Sequence, residues 1–148
     1  MKTRQIAYPA TECSVKDAEE VLLSFGRATL KGDFVGRFYD IFLESEPAVK
    51  PLFKDTDFVK QKDLLKQGIS LIILHAKGSF VGTSGLIRIK DTHKKSKMGI
   101  PPYLYGYWKT SLIQTVTEFD KDITSNLLSQ WHKVIDKGVK FIADGYDL

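Results

Sequence analysis

The side chains of this 148-residue chain best suited to hold a metal or attack a substrate are one cysteine, Cys13, and three histidines, His75, His93 and His132. A lone cysteine leaves no internal disulfide and no cysteine-based zinc or iron–sulfur site, and fits a reducing compartment. The chain carries no glycine-rich phosphate loop, no HExxH, no nucleophile elbow and no Ca²⁺ loop pattern. Its carboxylates are scattered, and none forms an evident pair on an apolar face. His75 falls near the end of a long amphipathic segment and His132 stands beside Trp131, so both read as ordinary surface or half-buried histidines.

His93 differs in its setting. It follows Leu86 and Ile89 at spacings of seven and four, which puts it on the apolar face of a short helix. A histidine in such a place is more often structural than a ligand, and periodicity alone leaves both readings open. A single imidazole does suffice for haem, because the porphyrin supplies four equatorial nitrogens and the protein adds one axial donor. The absence of CxxCH limits that reading to haem b.

The elements that must position these residues are helical. Residues 1–13 read as an irregular lead-in in which Pro9 blocks an early helix, and 14–148 as a single domain. Ser14-Val15-Lys16-Asp17 resembles a capping box ahead of a helix with Val21, Leu22, Phe25 and Leu30 on its apolar face. Asp33 caps a second helix bearing Phe34, Phe38, Ile41 and Phe42, and Pro47 and Pro51 bracket a short turn ending at Phe53. Asp57 caps a long helix to about Ala76, through Phe58, Leu64, Leu65, Ile69, Ile72 and Ile73, with Gly78 as its stop. Gly78 to Gly85 is predicted to be a loop, followed by the short helix that ends on His93 before Gly99. Pro101-Pro102 opens the next helix, through Tyr105, Trp108, Leu112, Ile113, Val116 and Phe119. Thr124 or Ser125 starts the last, with Leu127, Leu128, Trp131, Val134, Ile135, Val139 and Ile142. Six to eight helices and no convincing strand pair predict an all-α fold.

Composition narrows the function classes. The formal charge is +4 with pI near 9.1, yet basic residues are spread along the chain apart from a denser patch at Lys90, Lys94, Lys95 and Lys97. No basic stripe with interleaved aromatics marks a nucleic-acid binder, and the patch reads as a solvated helix face. The longest apolar run, Ile69 to Ala76, is too short to span a bilayer, and no apolar stretch follows Met1-Lys2-Thr3-Arg4. A cytoplasmic protein is expected.

In this setting the sequence resembles the globin family, and within it the single-domain bacterial globins akin to flavohaemoglobin haem domains. The resemblance runs from about Asp33 to Tyr146. It is densest at Phe38-Tyr39-Asp40-Ile41-Phe42-Leu43, Pro47, Pro51-Leu52-Phe53, Thr56-Asp57, Gln61-Lys62 and Leu65. It continues through Asp91-Thr92-His93, Gly99-Ile100-Pro101-Pro102, Tyr105, Trp108, Trp131, Gly138 and Tyr146. The resemblance implies a globin fold enclosing haem, with His93 as the proximal iron ligand and Phe53 as the aromatic that wedges the ring. Tyr39 and Gln61 would form the distal polar pair and Leu65 the apolar distal neighbour, with Ile89, Ile100 and Tyr105 also lining the cofactor. Tyr105 stands two residues further from the histidine than its flavohaemoglobin counterpart, and its partner carboxylate there has no clear match.

The function so implied is reversible binding of O₂ or another diatomic ligand, NO or CO, at haem b, for storage, transport or scavenging. The first alternative is nitric-oxide dioxygenation, which needs an external reductase that Lys94, Lys95 and Lys97 could steer. The second is a haem-based gas sensor acting through a partner protein.

Overall fold

A computed structural model describes residues 12–148, so the expected lead-in over 1–13 falls almost wholly outside the described residues. Six α-helices follow one another: α1 Val15–Lys31, α2 Phe34–Ser45, α3 Phe58–Lys77, α4 Phe80–His93, α5 Leu104–Phe119 and α6 Ser125–Ala143. A 3-10 turn, Lys50–Phe53, joins α2 to α3, and no strand occurs among the described residues. None of the described helices is long and apolar enough to cross a membrane.

Helix starts obey local chemistry. The Ser14 hydroxyl accepts from the Asp17 amide at 3.0 Å while Asp17 accepts from the Ser14 amide at 2.9 Å, completing the capping box with the shorter acid. Asp33, Asp57 and Thr124 likewise cap α2, α3 and α6 by accepting amide hydrogens from the first turn. Pro101 and Pro102 lie just outside α5 rather than in its first turn, and their carbonyls accept from the Leu104 and Tyr105 amides.

The expected loop from Gly78 to Gly85 is mostly helix. Gly78, with φ of 92°, ends α3 in a left-handed turn in which the Ser79 amide reaches the Leu74 carbonyl at 2.9 Å. Ser79 then caps α4 at once. Gly82 and Gly85 are packing residues: a Cβ on Gly82 would strike the backbone at Leu74 and His75, and one on Gly85 would strike the Leu71 side chain. These glycines let α4 lie against α3 at the corner, a use of glycine that looks like a loop signal in sequence. Gly82→Ala should therefore destabilise by about 1–3 kcal/mol through overpacking against immovable backbone. Gly68, whose added Cβ would meet nothing within 4 Å, is the control. Gly68→Ala should stabilise α3 by up to about 1 kcal/mol, and urea unfolding of the two variants checks the contrast.

The core is built from the inner faces of all six helices, with Trp131, Phe34, Phe38, Ile69, Ile73 and Leu86 among its largest fully buried side chains. Leu30 and Leu64 do not join it; they are 88% and 57% exposed. Leu30 is two residues past buried Ala28, which is about 200° around a helix of 3.6 residues per turn. A carboxylate is buried too. Asp120 is fully buried at the α5–α6 corner and accepts from Arg27 Nε at 2.8 Å, Arg27 Nη2 at 2.9 Å and the Ser24 hydroxyl at 2.6 Å. The Trp131 indole donates in turn to the Ser24 hydroxyl at 2.9 Å, so one network joins α1, the corner and α6.

Candidate functional site

The α2 helix, the 3-10 turn and the start of α3 assemble one group of the expected residues. Tyr39 is only 5% exposed, and its ring packs edge-on against Phe38, Phe53 and Phe58 at centroid distances of 5.1, 5.7 and 5.3 Å. Gln61 Nε2 donates to the Tyr39 phenol oxygen at 3.0 Å. A phenol oxygen that accepts from an amide keeps its own O–H free to donate elsewhere. Burial pushes the Tyr39 phenol up to about 12, with the Gln61 bond pulling the other way, so the hydroxyl keeps its proton across the physiological range. Leu65 stands one turn beyond Gln61 and is buried in the core.

Phe58 belongs with this group, although its sequence placed it only on an apolar helix face. It touches both Tyr39 and Phe53, and the one local hint was its place directly after the Asp57 cap. Two surface grooves border the cluster. One, of about 410 Å³, has Tyr39 and Phe58 in its wall with Asp33 and Lys62 among its polar residues. The other, of about 610 Å³, runs past Leu43, Phe53 and Phe58. His93 lines neither.

The end of α4 assembles a second group. His93 is the last residue of that helix and half-buried, and its carbonyl accepts from the Ile100 amide at 3.1 Å. Ile89 and Tyr105 pack against the core from the same region of the chain. Burial pushes the His93 imidazole below its ordinary value, and a hydrogen bond to the Ile89 carbonyl only partly offsets this, so the ring is neutral near pH 7. Its Nδ1 lies 3.1 Å from the Thr92 hydroxyl oxygen, while Nε2 has no hydrogen-bond partner among the described residues. Burial pushes the Tyr105 phenol up to about 12.

Of the remaining histidines, His132 is exposed on α6 and His75 is engaged elsewhere. His75 Nδ1 lies 2.8 Å from the Thr83 hydroxyl, and its ring packs on Phe141 at 4.9 Å, at the corner where α3 meets α4. The basic patch is partly neutralised from within. Asp91 pairs with Lys94 at 3.0 Å and Lys97 at 4.0 Å, while Lys90 lies over the Phe141 ring at 4.6 Å. Lys95 contributes its amide, which donates to the Tyr146 carbonyl at 2.8 Å and ties the C-terminal turn to the segment after His93.

Neither a protein-family model nor a curated protein matches this sequence. A crystal structure from Pseudomonas aeruginosa PAO1 does, that of a protein described as structurally highly homologous to a human hemoglobin. It aligns with a TM-score of 0.86 at 31% identity, over 89% of this chain and 99% of that one. The chain is a globin. Its helical order and its all-α architecture are those of the family. The donor set of this globin also suits a haem-type cofactor. Among the described residues no three His, Cys, Asp or Glu side chains cluster to hold a bare ion, whereas His93 offers one neutral imidazole with Nε2 free. A cofactor that brings its own four nitrogens needs no more than that.

Proposed function

We propose that this globin binds haem b through His93 and reversibly binds a diatomic gas, O₂ foremost. The observation that carries the reading is the polarity of the Tyr39–Gln61 hydrogen bond. Gln61 is the donor, so a protonated tyrosine hydroxyl in an aromatic, water-poor setting is left with one proton to give. Haem would supply the iron that takes up the gas and, for O₂, shifts electron density onto it. Tyr39 would donate to the ligand oxygen, and Gln61 would hold the phenol in place. Phe53, Leu65 and Phe58 would keep water out, which strengthens each polar contact. Ile89, Ile100 and Tyr105 would line the face nearer His93, and His93 would hold the iron through Nε2.

Hydrogen-bond donation discriminates between ligands. O₂ gains negative charge on binding and CO gains little, so a donor stabilises O₂ selectively. Taking about 1–1.5 kcal/mol for the lost bond, Tyr39→Phe should speed O₂ release about five- to tenfold. Gln61→Leu should do somewhat less, because it frees the phenol rather than removing it. The double variant should fall short of the sum, since the two residues bond each other. CO release should hardly change. Stopped-flow dissociation rates of the haem-loaded protein test this, and equal changes for the two gases would overturn the pair's role.

A further inference from the structure

We propose that the outer face of α1 is an interface at which two copies of this chain pair as an antiparallel, two-fold dimer. Neither haem nor His93 enters this inference, so it stands apart from the proposed function. α1 buries Ala18, Val21, Ser24, Phe25 and Ala28 against the core, yet its opposite side is apolar as well. Val15, Leu22, Leu23 and Leu30 are all exposed, Val15 and Leu23 by more than half. On a helix of 3.6 residues per turn these four fall, with Glu19 and Gly26, inside one strip about 100° wide. Single apolar side chains on a surface are ordinary, but four along one strip make a continuous patch of the kind that marks a contact.

The order of residues in the strip indicates what covers it. Reversing α1 about the point between Leu22 and Leu23 brings Val15 level with Leu30 of a second copy, and Glu19 level with Gly26 of that copy. Near a two-fold axis each residue meets its own copy, so a charge there would repel itself. The axis falls at two leucines. The long Glu19 side chain faces the one residue of the strip that has no side chain to displace. Its carboxylate is drawn sideways toward Lys77 Nζ at 3.8 Å, so the stem can cover apolar surface while the charge stays paired at the rim. Gly26 has no evident use inside its own chain. Its φ is not positive, and an added Cβ would meet nothing within 4 Å. A glycine within a helix is otherwise less favourable than alanine, and the close approach of a second helix gives it a use. One helix pair is a small contact beside the roughly 1,200–2,000 Å² of stable complexes, so the dimer is weak and forms with concentration.

Sedimentation velocity of the full chain across the micromolar to millimolar range should show a reversible monomer–dimer equilibrium. Leu23→Glu should weaken the dimer about tenfold to a hundredfold, the worth of burying one leucine. Its helical circular dichroism should not change, because Leu23 lies outside the core. Gly26→Ala should act in opposite senses, raising the urea midpoint of the dilute monomer while weakening the dimer several-fold. Phe80→Glu, at an exposed apolar position on α4, should leave the dimer as it is. In a Cys13→Ser background, Leu22→Cys should give a disulfide-linked dimer on mild oxidation with copper–phenanthroline, and Phe80→Cys should not. A chain that stays monomeric at millimolar concentration would overturn the proposal, whether its strip is bare or covered by residues 1–11. So would a dimer that Leu23→Glu leaves intact, or one that Phe80→Cys captures in place of Leu22→Cys.

Discussion

His93→Gly should abolish the haem binding proposed for this globin, with a loss of affinity exceeding the roughly 10–100-fold that removal of an outer-sphere partner brings. The proposed axial bond would be the one directed attachment, and the other two histidines stand on other helices, His132 exposed on α6 and His75 at the end of α3. His75 is held by Thr83 and Phe141 at the α3–α4 corner. From Gln61 to His75 the α3 helix runs on the order of 21 Å at about 1.5 Å per residue. The substitution is mild for the fold, because position 93 ends α4 and a terminal glycine costs about 1 kcal/mol or less. Haem-reconstituted wild-type protein should give a strong Soret band and a ferrous CO adduct. The variant should lose both in part or whole, and added imidazole should restore them by filling the space left behind. His75→Ala should leave the ferrous spectrum as it was. An unaltered spectrum in His93→Gly would remove His93 from the iron. A bis-imidazole spectrum abolished by His75→Ala would show that the distal face is built from a different register.

Asp120→Ala should be strongly damaging to stability, at about 3–5 kcal/mol, because it leaves a buried partner set without its anion. Three donors converge on that carboxylate from Arg27 and Ser24, and the Asp122 amide adds a fourth at 3.0 Å. The loss should lie toward the lower figure. The Arg27 side chain is 35% exposed and has Asp122 at 3.5 Å, so water and a second carboxylate take up part of its charge. The pH dependence follows from the same contacts. Burial pushes the Asp120 carboxyl up, but the Arg27, Ser24 and Asp122 hydrogen bonds outweigh it and hold the group below its ordinary 3.8. A carboxyl depressed on folding stabilises the protein above its unfolded pKa, and that share disappears as pH falls through the folded value. Urea unfolding near neutral pH and at about pH 3 should therefore show an acid-labile share of stability in the wild type. That share should shrink in Asp120→Asn. A wild type and variant that lose stability in parallel on acidification would place the acid sensitivity in other carboxylates.

Much of this molecule was legible without its tertiary structure, for a physical reason. Ser14, Asp33, Asp57 and Thr124 cap their helices through amides two or three residues away, and Gly78 ends α3 through carbonyls just before it. Such bonds close within one turn, so neighbouring letters suffice to foresee them. The apolar faces follow the 3.6-residue period, which located the six helices and put Gln61 and Leu65 on one side of α3. The globin resemblance rested on particular residues occurring in order at compatible spacings along those elements, from Phe38-Tyr39 through His93 to Tyr146.

What escaped the sequence depends on which surfaces meet. Gly82 and Gly85 read as a loop because glycine's local meaning is a break, and only the backbone of α3 pressed against them reveals a close packing contact. Leu30 and Leu64 are apolar letters on faces that no other helix covers. Phe58 joins Tyr39 and Phe53 only once α2, the 3-10 turn and α3 fold onto one another. Asp120 lies 93 residues from Arg27 in sequence and 2.8 Å from it in space. No periodic pattern marks such a pair, since a buried charge is tolerated only where distant donors happen to converge. Helix positions follow from bonds a few residues long; the Tyr39–Gln61 hydrogen bond, the corner glycines and the buried carboxylate follow from packing, where burial decides what each polar group is worth.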